Sequence, residues 1–262
     1  MPSDQEILRG AVAIAEEAAA VLSRMQAGPR DVARKELRDV VTDADLASEA
    51  VVLEGIRRLT PAAAILSEEA GASEGAGGER WIVDPLDGTV NYAGGLPLYS
   101  VTMAYQRDGI TRAGIVHAPA LNLVATYAKE EGARVNGEAV AVSATATVSD
   151  AVISVVLTSH YTPEEVARTA EIIHRLGEVA RGVRVIVSGG LEMVWVASGR
   201  TDAFVGLKAD AVSHAGAMPM VRAAGGRVTR LDGVDAGDDD LEKIASNGLI
   251  HDELLAILNA AT

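Results

Sequence analysis

The chain has 262 residues, 23 Lys plus Arg against 37 Asp plus Glu, a formal net charge of −14 and no cysteine. Such an acidic surface repels phosphate backbones and anionic lipid, which argues against a nucleic-acid or membrane-surface binder. The lack of cysteine excludes thiolate catalysis, Cys-based metal sites and disulfides and fits a reducing, cytoplasmic setting. At roughly 100–200 residues per domain, the length predicts one large domain or two fused halves, with core enough to fold without a staple. No signal peptide is expected from the first six residues, and no apolar run reaches the ~18 residues of a membrane span. With a single Phe, the core must be aliphatic.

In chain order, residues 4–26 read as an amphipathic helix with Asp4 as a plausible N-cap, stopped at Gly28-Pro29. Residues 46–59 form a second helix striped by Leu46, Val51, Leu53 and Ile56. Residues 62–66 read as a strand. Residues 71–78, with four glycines, read as a mobile loop. Residues 81–83, 98–105, 111–116 and 121–128 alternate as strands, with Asp108-Gly109 as a hairpin turn. The rhythm then changes. Strands at 152–157, 183–187, 202–205 and 226–229 alternate with helices at 163–176, 191–198, 211–223 and 251–260, which predicts an α/β layer. The fold class is thus α/β, an α+β half over 1–145 followed by an α/β half over 146–262, sharing one interface.

The chemistry concentrates in three acidic segments within about fifty residues: Asp43-Ala44-Asp45, Ser67-Glu68-Glu69, and Asp84-Pro85-Leu86-Asp87-Gly88-Thr89. Taken singly, each has an ordinary explanation: an N-cap, a solvated strand end, a turn. Taken together they place carboxylates beside Leu66, Ile82 and Val83, where burial needs a counter-charge. A divalent cation supplies one, and hard oxygen ligands suit Mg²⁺. Pro85 forces a tight turn that turns Asp84, Asp87 and the Leu86 carbonyl toward one point, and Gly88-Thr89 offers backbone N–H groups to an anion.

These segments, read as Val41-Thr42-Asp43-Ala44-Asp45, Leu66-Ser67-Glu68-Glu69 and residues 81–92, resemble the successive motifs of the inositol monophosphatase family. The resemblance continues through 97–104, 114–119, 197–204 and 223–226, and so covers nearly the whole chain. It implies a layered αβαβα sandwich, commonly a homodimer, acting on a small phosphorylated polyol, sugar or related metabolite. By the resemblance, Glu68, Asp84 and the Leu86 carbonyl hold a first Mg²⁺, and Asp84 and Asp87 a second. Thr89, paired with Asp45 or Glu68, activates water, and the N–H groups of Gly88 and Thr89 receive the phosphate.

The chain departs from that pattern at one place. Aligned from Ala224-Gly225-Gly226 backwards, the family's last ligand Asp falls on Ser213 and its preceding aromatic on Val212. A further acid that contacts the polyol falls on Gly206. Three readings follow. Asp210 or His214 replaces the lost acid; or the second metal is weak and arrives with the phosphate; or the scaffold serves a non-hydrolytic reaction or binding alone. Ser188-Gly189-Gly190 could receive a phosphate or sugar hydroxyl, or the glycines could permit close packing. Ser213 itself is a candidate substrate contact. His117 reads as structural. Residues 232–240 lack the spacing of a calcium loop and read as solvated. Arg34 and Lys35 face either the active-site mouth or an exposed salt bridge.

Overall fold

The computed structural model describes residues 2–27, 32–34, 40–158, 160–208 and 211–260, with the side chains of 32–34, 40 and 41 outside the description. The Gly28-Pro29 helix stop, the Arg34 and Lys35 side chains and Asp210 lie outside the described residues.

Helix α1 (Asp4–Gln26) opens with a capping box. Glu6 N–H donates to Ser3 Oγ (3.3 Å) and Ser3 N–H donates back to Glu6 (2.8 Å), so Ser3, not Asp4, is the cap. Its buried stripe is Ile7, Ala11, Ile14, Ala15, Ala18 and Leu22. A short ribbon, β1 (Val32–Arg34) with β2 (Val40–Thr42), leads into α2 (Asp43–Leu59), which starts three residues earlier than its apolar stripe indicates because Thr42 caps it.

The first sheet contains β3 (Ala64–Ser67), β4 (Gly71–Ser73), β5 (Glu79–Asp87), β6 (Ser100–Arg107), β7 (Ile110–Ala118), β8 (Leu123–Ala128), β9 (Gly132–Val135) and β10 (Glu138–Ala139). Its order is β10-β9-β8-β7-β6-β5-β3-β4, antiparallel except for the β3–β5 pair. Short helix α3 (Thr89–Ala93) follows β5. The second sheet contains β11 (Val152–Val155), β12 (Gly182–Arg184), β13 (Ala203–Gly206), β14 (Arg227–Thr229) and β15 (Lys243–Ser246), in the order β12-β11-β13-β15-β14. The remaining helices are α4 (Pro163–Val179), α5 (Gly189–Ala197), α6 (Ala211–His214), α7 (Met218–Ala223) and α8 (His251–Leu258).

Strand alternation assigns the layers. Trp81, Val83, Met103 and Tyr105 pack with α1 and α2, while Ile82 and Ala104 pack with Val212 and Ala215 on the opposite face. In the second sheet, Phe204, Val228 and Ala245 meet Leu191, Val194 and Val221 of α5 and α7. The alternate residues Ile153, Val155, Val205 and Ile244 meet Ile172, Leu176, Leu254 and Leu258 of α4 and α8. The result is the expected α/β sandwich, layered αβαβα.

Two expectations change, one strand is added and one loop is as expected. The glycine-rich loop holds the edge strand β4. The helix expected over 211–223 is two, because Pro219 cannot sit in a helix interior and Gly216 lies against the sheet, where a Cβ would stand 2.7 Å from the Met103 carbonyl oxygen. Strand β15, paired between β13 and β14, is hidden in the sequence by its shortness and its leading lysine. The acidic 232–240 segment keeps Asp232, Asp235 and Asp239 exposed, as expected of a solvated loop, and is anchored by buried Lys243, which donates to the carbonyls of Asp238 (3.1 Å) and Asp240 (2.5 Å).

His251 closes the second sheet's end, fully buried between Thr229 Oγ1 (2.9 Å) and Ser246 Oγ (2.7 Å). Desolvation, aided by Arg227, lowers its pKa to about 4. The unfolded chain takes up this proton near pH 6.5 and the folded chain only near 4, so stability falls as pH drops across that window. His251→Gln is expected to be less stable at pH 7 but to show a shallower decline in melting temperature from pH 6.5 to 4. Parallel declines would refute the assignment.

Candidate active site

The site begins with an irregularity in β5. Asp84 pairs with Thr102 and Asp87 with Ser100, so two residues, Pro85 and Leu86, stand opposite the single Val101. In a regular strand, residues three apart point to opposite faces. The extra residue of this bulge brings Asp84 and Asp87 to the same side, where both border one cavity of about 410 Å³. The turn expected at Pro85 is therefore a bulge within a strand, a position that tolerates a residue with no N–H. Ser48 of α2 fixes it by donating to the Pro85 carbonyl (2.7 Å).

Asp45 is the third residue of α2 and the reciprocal partner in its capping box. Its Oδ2 accepts from the Thr42 N–H (2.8 Å) and hydroxyl (2.6 Å), and its Oδ1 accepts from Thr89 Oγ1 (3.0 Å). Thr89 thus meets Asp45, not Glu68. Burial pushes the Asp45 carboxyl above the ordinary carboxylate range, against the hydrogen bonds that lower it. Thr89 Oγ1 also lies 3.0 Å from the Leu86 carbonyl oxygen. Gly88 turns the chain into α3 with φ 88°, a left-handed conformation that favours glycine.

Among the described residues, Asp87 accepts hydrogen bonds from Ser100 Oγ (3.1 Å), Ser188 Oγ (2.7 Å), Gly189 N–H (3.0 Å) and Gly190 N–H (3.0 Å). The start of α5, in the second half of the chain, is thereby docked on a carboxylate of the first sheet. This corrects the reading of Ser188 as a substrate contact: it is fully buried and its hydroxyl serves Asp87. Close packing explains the glycines, since a Cβ on Gly190 would lie 2.5 Å from Thr102 Cγ2 and 3.0 Å from the Ser213 carbonyl oxygen. The preceding Val187 has φ 64°, an outlier for a β-branched residue.

Three residues that the motifs did not reveal hold the site together. Ser100 is one of Asp87's donors. Glu49, one turn beyond Asp45 on α2, accepts from Ser67 Oγ (2.6 Å) and Ala70 N–H (2.8 Å) and so fixes the turn that carries Glu68; its four-residue spacing from Asp45 was the available signal. Glu192 lies fully buried beneath the α5 turn and accepts from the Ser188 N–H (3.1 Å). Burial, with the nearby Asp87 charge adding to it, raises its pKa to about 8.

Ser213 borders the cavity and donates to Asp84 Oδ2 (2.7 Å), while Leu86 N–H donates to Asp84 Oδ1 (3.0 Å). Glu68 borders the same cavity but is exposed. Among the described residues, no three His, Asp or Glu side chains converge as a metal-holding group. The donor set nevertheless fits Mg²⁺, which binds through one or two carboxylates, waters and substrate phosphate rather than an all-protein cage. Asp84, the Leu86 carbonyl and Asp87 are hard oxygens at the cavity floor. His214, buried with its ring tilted against Phe204 at 5.3 Å, also borders the cavity. His117 lies on β7, with an interaction toward Ala15 of α1.

Glu192 leads to a prediction. The unfolded chain releases this proton near pH 4.5 and the folded chain near 8, so its contribution to stability is lost as pH rises through that range. In EDTA, the melting temperature of Glu192→Gln is expected to gain on the wild type progressively from pH 4.5 to 8. A constant difference would sink the assignment.

Comparison with known proteins bears on what this arrangement is. A sequence model described as the inositol monophosphatase family matches residues 3–261. The chain is 37% identical over 223 residues to a fructose-1,6-bisphosphatase/inositol-1-monophosphatase of Thermotoga maritima, covering 85% of this chain and 83% of that protein. It is 35% identical over 249 residues to a histidinol-phosphatase of Mycobacterium tuberculosis, covering 91% and 93%. Its fold matches the crystal structure of the extragenic suppressor protein SuhB from Bartonella henselae with a TM-score of 0.91 and 28% identity over 98% of this chain and 99% of that one. With the acidic motifs and the layered fold in agreement, the chain belongs to the inositol monophosphatase family.

Proposed function

We propose that the protein is a Mg²⁺-dependent phosphomonoesterase acting on a small phosphorylated metabolite of the polyol, sugar or related class. The observation that carries this is the Thr89–Asp45 pair standing beside a cavity floored by Asp84 and Asp87. The phosphatase names of the relatives support the same reaction class. The cytoplasmic setting that the lack of cysteine fits and the homodimer that the family resemblance implies belong to this reading.

In this reading Asp84, the Leu86 carbonyl and Glu68 would hold one cation, and Asp84 with Asp87 a second. Bound Mg²⁺ supplies charge neutralisation for the phosphoryl oxygens and the leaving oxygen. The chain does the rest. The Gly88 and Thr89 backbone orients the phosphate at the cavity wall. Thr89 Oγ positions a water for in-line attack and passes its proton to Asp45, whose raised pKa makes it the better base. A P–O bond forms to the water oxygen, the ester P–O bond breaks, and the leaving oxygen takes a proton from solvent water at the mouth to depart as the alcohol, while Asp45 returns its proton to solvent. The second cation position is the weaker, because Ser213 offers a neutral hydroxyl that already donates to Asp84.

Phosphate release from a panel of sugar, polyol and nucleotide phosphates is expected in Mg²⁺ and is lost in EDTA; no release at any Mg²⁺ concentration would leave a binding protein or a non-hydrolytic enzyme. Thr89→Ala should lower kcat by roughly 10²–10⁴-fold with a smaller change in KM; a KM effect alone would remove Thr89 from the proton path. Ser213→Asp places a second carboxylate against Asp84. Its melting temperature should fall in EDTA and recover in Mg²⁺, with tighter Mg²⁺ binding by calorimetry, and unchanged affinity would show that the loss is compensated elsewhere.

A further inference from the structure

Two short segments, far apart in the chain, grip each other at two points. At the first, Asp87 accepts from Ser188 Oγ, Gly189 N–H and Gly190 N–H. At the second, buried Asn91 of α3 donates its side-chain amide to the Ile186 carbonyl (2.8 Å) and the Val187 carbonyl (3.3 Å), and also to the Leu98 carbonyl (2.8 Å). An amide has two N–H groups, so one is shared between two of these oxygens. Residues 87–91 thus hold residues 186–190 from both ends, with Gly88 and Thr89 between the grips. Contact there is direct: a Cβ on Gly88 would stand 2.8 Å from the Leu98 carbonyl oxygen and 3.3 Å from Ser188 Cβ.

Val187 lies between the two grips on the other segment. Its φ of 64° is a left-handed conformation that a β-branched residue keeps only where its surroundings impose it. Asp87 holds the residues that follow Val187, and Asn91 holds the carbonyls at and before it. Without Asn91, Val187 is free to return to extended backbone. That rotation would turn the peptide groups that follow, and with them the donors to Asp87.

We propose that Asn91 is a positioning residue. It holds Val187 in its left-handed conformation, and so keeps the start of α5 on Asp87 and the Gly88–Thr89 turn in place beside Asp45. The inference rests on the phosphatase reading only for its effect on turnover. The test is a double-mutant cycle with Val187→Gly, because glycine adopts a positive φ without help. Asn91→Ala should speed amide hydrogen exchange at Gly189 and Gly190 about tenfold by local opening, with the amides of α1 unchanged. The same substitution made in Val187→Gly should change those rates by less than about threefold. In Mg²⁺, Asn91→Ala should lower kcat about 10²-fold with KM little changed, as misplacing a reacting group does, and by less than about tenfold in Val187→Gly. Asn91→Ser keeps one donor; it should fall between, and it carries the comparison if Asn91→Ala does not fold. Unchanged exchange at Gly189 and Gly190, equal factors in the two backgrounds, or a kcat that Asn91→Ala leaves unchanged would overturn the proposal. Coupled exchange in a protein that releases no phosphate would leave the clamp standing and defeat the phosphatase reading instead.

Discussion

The structure turns on the burial of two carboxylates, Asp84 and Asp87, on one side of one strand. Moving an ionised carboxylate out of water is among the largest unfavourable terms a fold can carry, several kcal/mol per ion even after relaxation. Hydrogen bonds to charged groups return about 1.5–3 kcal/mol each. Among the described residues, donors to Asp87 include Ser100, Ser188, Gly189 and Gly190 and donors to Asp84 include Leu86 and Ser213, and much of the surrounding architecture supplies them. The bulge at Pro85-Leu86 creates the problem by placing both acids together. The Ser188–Gly190 turn, Ser100 and Ser213 answer it.

Those donors come from both halves of the chain, so the site also joins the sheets. The first sheet contributes the acids, the Ser100 hydroxyl and the Leu86 N–H, while the start of α5 and α6 contribute the Ser188 and Ser213 hydroxyls and the Gly189 and Gly190 N–H groups. Glycine at 190 is needed because a backbone amide can reach Asp87 only if no side chain intervenes. Glu192 anchors the same turn from beneath, and its complete burial raises its pKa. Loss of the turn would expose Asp87 to a site with fewer donors and would loosen the contact between the layers.

Opposite the acids, the cavity wall belongs to the second sheet, and its chemistry differs. The two halves of the chain thus share the cavity: the strand bulge and Thr89 border it on one side, and Val156, Leu157 and Lys208, just beyond the ends of β11 and β13, border it on the other. Such a division lets the second wall change without disturbing the first.

Much was legible in the residues. Helix α1, the β6–β7–β8 meander and the βα alternation after 150 follow from periodicity and turn chemistry, and the three acidic segments marked the site. The illegible parts share a cause. Strand β15 is four residues with a lysine whose charge is satisfied by loop carbonyls; the break at 215–217 reflects contact with strands distant in sequence; Ser188 looks like a ligand contact until Asp87 is found against its hydroxyl. The sequence alone determined which chemical groups are available to the cavity, because a carboxylate, a hydroxyl and a glycine are chemical facts before folding. Only the tertiary structure decided which carboxylate meets Thr89, which donors meet Asp87 and which wall Lys208 lines, because hydrogen bonding and desolvation depend on distances that no local spacing encodes.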